Sequence, residues 1–146
     1  MSKREMELFI FDIFVAIFKI KETVKNFECA DDLKHHYLSW DSVIREFEII
    51  GEASKYLLKS NLIDEKYQKV VDFRNQITHE YFGIDEDIVW LIAFKELDSF
   101  VLVIFSLINK IELGLKKELI ESFIEDNEYL DFVVRELNVL KEKNCK

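Results

Sequence analysis

The sequence contains no proline and only three glycines in 146 residues. Tight turns and hairpins use those two residues as punctuation, so a hairpin-rich fold is excluded and a few long helices with short connections are expected. Cysteine is scarce too. Cys29 and Cys145 are too few for a disulfide scaffold, and neither stands in a CxxC or Cys/His metal spacing. A reduced, cytoplasmic chain is the expectation. Basic residues are in deficit, 20 against 29 acidic, for a formal charge of −9. A broad basic surface holding nucleic acid by counterion release is therefore ruled out, and any nucleic-acid contact has to be local. The apolar run from Leu8 to Ile20 is interrupted by Asp12 and Lys19. It covers about 13 residues where a bilayer span needs about 20. No small-residue cleavage site follows it, so neither a membrane span nor a signal peptide is expected.

What is present is 49% hydrophobic and 34% charged residues, the balance of a single globular domain. From residue 4 to residue 27 the polar positions Glu5, Asp12, Lys19 and Asn26 recur every seventh residue, and Phe9 to Phe18 and Val24 fill the remaining girth. A helix with one buried side needs only about a 100° apolar stripe. This one exceeds that, which predicts contact with both its own bundle and a second chain, and hence a homodimer. A polar connection, Glu28 to His36, leads to a second helix over about Leu38 to Lys59. Gly51 in its middle costs about 1 kcal/mol relative to alanine, a loss usually compensated by close approach of another helix. Asp64 is a candidate N-cap for the third helix, Gly83 a candidate stop, and Asp85 a cap for a fourth helix from about Glu86 to Leu113, closed by Gly114. The predicted architecture is all-α: an up-and-down four-helix bundle over residues 1–114, with a helical C-terminal extension over 115–146 on the same domain.

Chemistry concentrates in one polar island between apolar helices, Arg74-Asn75-Gln76-Ile77-Thr78-His79-Glu80-Tyr81. His35 and His36, beside Asp31 and Asp32, read instead as a solvated loop, because adjacent histidines converge poorly on one ion. At about 100° per residue, Asn75 and His79 fall within about 40° of each other, so Asn75 can orient the imidazole. Arg74 and His79 are about 140° apart on the same arithmetic. Either the helix unwinds near Glu80, or a symmetric partner supplies a second copy of each residue across a cleft. The local alternative pairs Arg74 with an acidic neighbour such as Asp72 or Glu80, while His79 and Tyr81 close the helix end.

The string Arg74-Asn75-x-x-x-His79-x-Tyr81 resembles the R-x4-H-x-Y motif of the HEPN superfamily, in particular its HepT-type toxin branch. Ile49-Ile50-Gly51-Glu52-Ala53 is similar to that branch's IGEA segment, and Tyr81-Phe82-Gly83-Ile84-Asp85 with Ile88-Val89-Trp90 to its YFG-D-x-x-I-V-W segment. The likeness covers roughly residues 5 to 113; the tail has no counterpart. It implies a homodimeric ribonuclease that uses no metal or cofactor and is paired with an MNT-type nucleotidyltransferase antitoxin. Arg74 and His79 would be the catalytic pair, with Asn75 orienting the imidazole or touching phosphate. Tyr81 would contact substrate and receive AMP from the antitoxin. Imidazole can serve as base or acid near neutral pH, and guanidinium offers a fork suited to phosphate oxygens. The alternative is a catalytically silent HEPN module whose helical surface binds the nucleotidyltransferase or a nucleotide.

Overall fold

The computed structural model describes residues 3–80 and 83–142. The regular elements among the described residues are all helical: α1 (Lys3–Val24), α2 (Ala30–His35), α3 (Tyr37–Lys59), a 3₁₀ turn (Glu65–Tyr67), α4 (Gln68–His79), α5 (Glu86–Leu91), a π-helical stretch (Ile92–Glu96), α6 (Leu97–Asn109), α7 (Leu113–Asp126) and α8 (Asp131–Glu142). α5, the π stretch and α6 follow one another without a break, so Glu86–Asn109 is a single helical rod. The result is an all-α bundle of α1, α3, α4 and this rod, with α7 and α8 laid against it. No helix among the described residues is long and apolar enough to cross a membrane.

The helix ends follow side-chain chemistry. Asp64 accepts a hydrogen bond from Lys66 N–H and opens the turn into α4; Asp85 does the same with Asp87 N–H at the start of α5. At the end of α3 the chain turns on Asn61, at φ 57°, and Leu62 N–H donates to the Leu57 carbonyl, a closure that satisfies the last turn's orphan acceptors. The supposed polar connection Glu28–His36 contains α2. His36 then caps α3, its Nδ1 accepting from Ser39 N–H. Two glycines differ from expectation. Neither Gly83 nor Gly114 has positive φ. α4 ends at His79, before Gly83 is reached, and Gly114 lies in the first turn of α7. That helix is capped by the Glu112 carboxylate, which accepts from the N–H groups of Gly114 and Leu115 at 2.7 and 2.9 Å.

α1 is the axis of the molecule. Phe11, Ile13, Phe14, Ile17 and Ile20 are fully buried, and their neighbours belong to this chain. Phe9 stacks on Tyr56 of α3 at 4.7 Å, Phe14 meets Phe105 of α6 edge-on, and Phe11 stacks on Phe123 of α7. α7 and α8 add Leu119, Ile120, Val133, Leu137 and Leu140, all buried in the same core. At about 1.5–3 kcal/mol per buried side chain, these five contribute as much as the entire net stability of an ordinary domain. The broad apolar girth of α1 is thus covered by α3, the rod, α7 and α8 of the same chain, and by itself it gives no ground for a second chain. Its polar positions remain at the surface: Glu5, Asp12 and Asn26 are exposed and Lys19 half-buried.

Candidate functional site

The centre of the site is the crossing of α3 and α4. A Cβ on Gly51 would overlap the Arg74 Cβ, lie 2.7 Å from its Cγ and come within 3.3 Å of the Val70 carbonyl oxygen. Only a residue without a side chain lets the two helices touch here. The consequence is that Arg74 emerges directly against α3, one residue from Glu52. Its Nη2 lies 3.2 Å from Glu52 Oε2, and its Nη1 donates to Asn75 Oδ1 at 3.1 Å. Glu52 Oε1 in turn accepts from Lys55 at 3.1 Å.

Two sequence expectations change at this point. The acidic partner of Arg74 comes from the neighbouring helix, while Asp72 accepts from Gln68 instead. Asn75 bonds the guanidinium; among the described residues it makes no bond to the imidazole of His79. The signal for the Glu52 contact was Gly51 itself, since a helix-interior glycine marks where another helix comes nearest.

Arg74 is two-thirds buried and its hydrogen-bonding capacity is incompletely met. The Nε atom is buried with no acceptor, and the Glu52 oxygen nearest the guanidinium is close without being aligned for a hydrogen bond. The pair is therefore held by charge more than by directed bonds. A groove of about 270 Å³ opens beside it, lined by Arg45, Arg74, Asp12, Glu48, Glu52 and the apolar wall of Phe9, Ile49 and Ala53. An anion placed in it would meet the exposed part of the Arg74 guanidinium, while Nε stays buried. Asp12 opens to solvent on one side but loses hydration on the other against that wall, which pushes its carboxyl above the usual carboxylate range. On the far side of Arg45, burial raises Glu46 likewise, opposed by the charges of Lys19 and Arg45.

His79 is the last residue of α4, exposed, and without a side-chain partner among the described residues. The helix keeps its geometry through His79 and leaves it only at Glu80, at φ −131° and ψ 38°. Unwinding thus begins too late to swing His79 toward Arg74, and the two side chains leave α4 about 140° apart. Tyr81 lies outside the described residues, as do Phe82 and Cys145; Cys29 is an exposed free thiol. His35 and His36 are engaged with backbone groups, and no His/Cys/Asp/Glu cluster suited to a metal ion occurs among the described residues. Of the other basic residues on α3, Arg45 faces the groove, Lys55 is held by Glu52, and Lys59 lies over the Tyr56 ring.

The family model "Ribonuclease HepT-like" matches residues 13–104, which takes in the second half of α1, α2, α3, α4 and most of the rod and leaves out α7 and α8. The chain is 36% identical over 98 residues to a protein of Methanocaldococcus jannaschii named "Putative RNase MJ1380", a stretch covering 64% of this chain and 87% of that protein. A second protein of the same organism, "Putative RNase MJ1216", is 32% identical over 66% of this chain and 82% of its own length. "Probable ribonuclease HepT" of Thermococcus cleftensis is 30% identical over 66% of this chain and 90% of its own length. No solved structure matches the chain. With the matched region spanning the α3–α4 crossing and the Arg74 to His79 string inside it, the chain belongs to the HepT-like ribonuclease family.

Proposed function

We propose that the protein is a metal-independent endoribonuclease acting as the toxin of a toxin–antitoxin pair, with Arg74 and His79 as its catalytic residues at a homodimer cleft. The observation that carries this reading is the placement of Arg74, a partly exposed guanidinium that lines a groove with Arg45, in the position of the family's motif arginine. RNA carries its own nucleophile. His79 takes the proton of a 2′-OH, whose oxygen attacks the adjacent phosphorus, and the 5′-oxygen leaves with a proton from a second imidazole, giving a cyclic phosphate and a free 5′-hydroxyl. Arg74 meets the phosphate oxygens with charge-assisted hydrogen bonds as negative charge builds on them. One chain cannot supply this set from one face of α4, because its Arg74 and His79 diverge. Two copies related by a two-fold axis supply two imidazoles and two guanidinium groups to one cleft.

Asn75 fixes the Arg74 fork through its Oδ1, which makes it a positioning residue. Control of the toxin falls to an MNT-type nucleotidyltransferase antitoxin that transfers AMP to Tyr81. The added phosphate would set negative charge beside Arg74 and His79 and repel the RNA backbone. A second reading, a silent module that only binds the nucleotidyltransferase, draws on Glu52, which already offsets much of the Arg74 charge. Cleavage of labelled RNA by the purified protein separates the two. His79→Ala should lose about 10² to 10⁴ in rate. Its melting temperature should stay unchanged, since His79 is exposed. Cleavage that survives His79→Ala, or its absence from the wild-type dimer, refutes the catalytic assignment.

A further inference from the structure

α4 has a second face. On it, between α3, α4 and the rod, lies a cavity of about 260 Å³ that shares no lining residue with the Arg74 groove. Its interior is hydrocarbon, walled by Phe47, Ile50, Phe73 and Phe100, with Phe47 and Phe73 in edge-on contact at 5.3 Å. Its mouth is charged. Lys69 Nζ spans it to Glu96 Oε2 at 2.9 Å, and Lys66 stands beside them over the Tyr67 ring.

The π stretch is built around this cavity. Leu97 N–H donates to the Ile92 carbonyl five residues back, and both residues line the cavity. In a regular α-helix residues five apart diverge by about 140°, so the wider turn is what brings them to the same wall. Such turns are rare and are frequently found at functional sites.

We propose that this cavity is a binding site for an amphipathic monoanion, a hydrocarbon body, acyl or aryl, ending in a carboxylate. The body enters the aromatic interior and the carboxylate takes Lys69 from Glu96, with Lys66 as a second cation. Size sets the class: an apolar cavity of about 150 Å³ accepts benzene, so one of this volume takes a body of about ten carbons. Charge sets the end group, because both cations lie at the mouth and none inside. A nucleobase would fit by shape, but its several polar edge atoms would be buried with only the hydroxyls of Tyr67 and Ser99 as neutral polar partners among the lining residues. This site is independent of the ribonuclease reading, and its test uses no RNA.

Titration of the full chain with decanoate or 3-phenylpropanoate, by calorimetry and amide NMR shifts, should give saturable 1:1 binding tighter than about 1 mM. Decanol, which lacks the charge, should bind about tenfold more weakly. The exposed pair Lys66→Gln with Lys69→Gln should weaken decanoate by about tenfold or more without touching the core. Val70→Phe, which fills the cavity, should abolish binding, and unchanged helicity identifies a folded variant. The proposal is overturned if wild-type protein shows no saturable binding, if decanol binds as well as decanoate, or if the lysine pair leaves affinity unchanged. Displacement of decanoate by AMP at micromolar concentration would overturn the choice of ligand.

Discussion

Replacing Gly51 by alanine tests the central geometric claim, that α3 and α4 touch at this position and thereby deliver Arg74 to Glu52. Alanine is the better helix former by about 1 kcal/mol, so propensity alone predicts a more stable protein. The added methyl, however, meets Arg74 Cβ, an atom fixed to the α4 backbone that no rotamer change can move. Relief requires shifting α4 as a body, away from the Phe47–Phe73 contact and the core beneath it. Overpacking of this kind costs about 1–3 kcal/mol, and the immobility of a Cβ puts this case at the upper end. The net expectation is a loss of about 2 kcal/mol, which for a chain of this size lowers the melting temperature by about 4–8 °C. Thermal unfolding followed by circular dichroism at 222 nm reads it directly. RNA cleavage should fall in parallel, since Arg74 is carried off with α4. A rise in melting temperature with full cleavage would show that the helices do not meet at Gly51, and the placement of Arg74 would fall with it.

Glu52→Gln removes the carboxylate that offsets Arg74; both side chains are partly exposed, so stability should change by less than about 1 kcal/mol while KM for RNA drops. A rise in KM would mean that Glu52 holds Arg74 in place for substrate rather than competing with it. Asp12 has a folded pKa above its ordinary 3.8, so the native state binds more protons and stability falls as pH rises from 3.8 through the raised value. Asp12→Asn should therefore raise the melting temperature at pH 7 and lose that advantage near pH 3.8; an equal gain at both pH values would refute the cause. Glu96 has the opposite sign: Lys69 holds its carboxyl below the ordinary 4.5, so its small contribution is present above that value and is lost as pH falls through the folded pKa. Glu96→Gln should flatten the acid limb of the stability curve slightly, and an unchanged limb would show the pair contributes nothing. Deleting residues 113–146 uncovers α1 along Phe11 and its neighbours and removes five buried apolar side chains. Such a chain should aggregate or melt below 25 °C by circular dichroism, and a well-folded product would refute the shared core.

Much of the site was legible because it is local. The string Arg74 to His79 sits on consecutive turns of one helix, and helical arithmetic alone separates its two main side chains. The caps at Asp64 and Asp85 were legible for the same reason, each a carboxylate serving an amide two residues on. The Glu52 partner was half legible: Gly51 announced a close crossing but could not name the residue on the other side. The π stretch left no trace in the sequence, since Ile92 to Glu96 reads as ordinary helix. Its widening is set by how the rod must fit against α3 and α4.

By itself the sequence determined the all-α class, through the absence of proline and the recurrence of apolar residues at helical spacing, and it marked the Arg74–His79 segment as the chemical island. Those are properties of period and of neighbours in the chain, which the sequence carries directly. Which apolar face meets which was decided only in three dimensions. The girth of α1 that suggested a second protein is buried by α3, the rod, α7 and α8 together, and the charge on Arg74 is met by a carboxylate 22 residues away in sequence, a separation given by the residue numbers. Hydrophobic burial has no direction and does not distinguish the chain's own tail from a partner, so only the packed structure could assign the surfaces that cover one another.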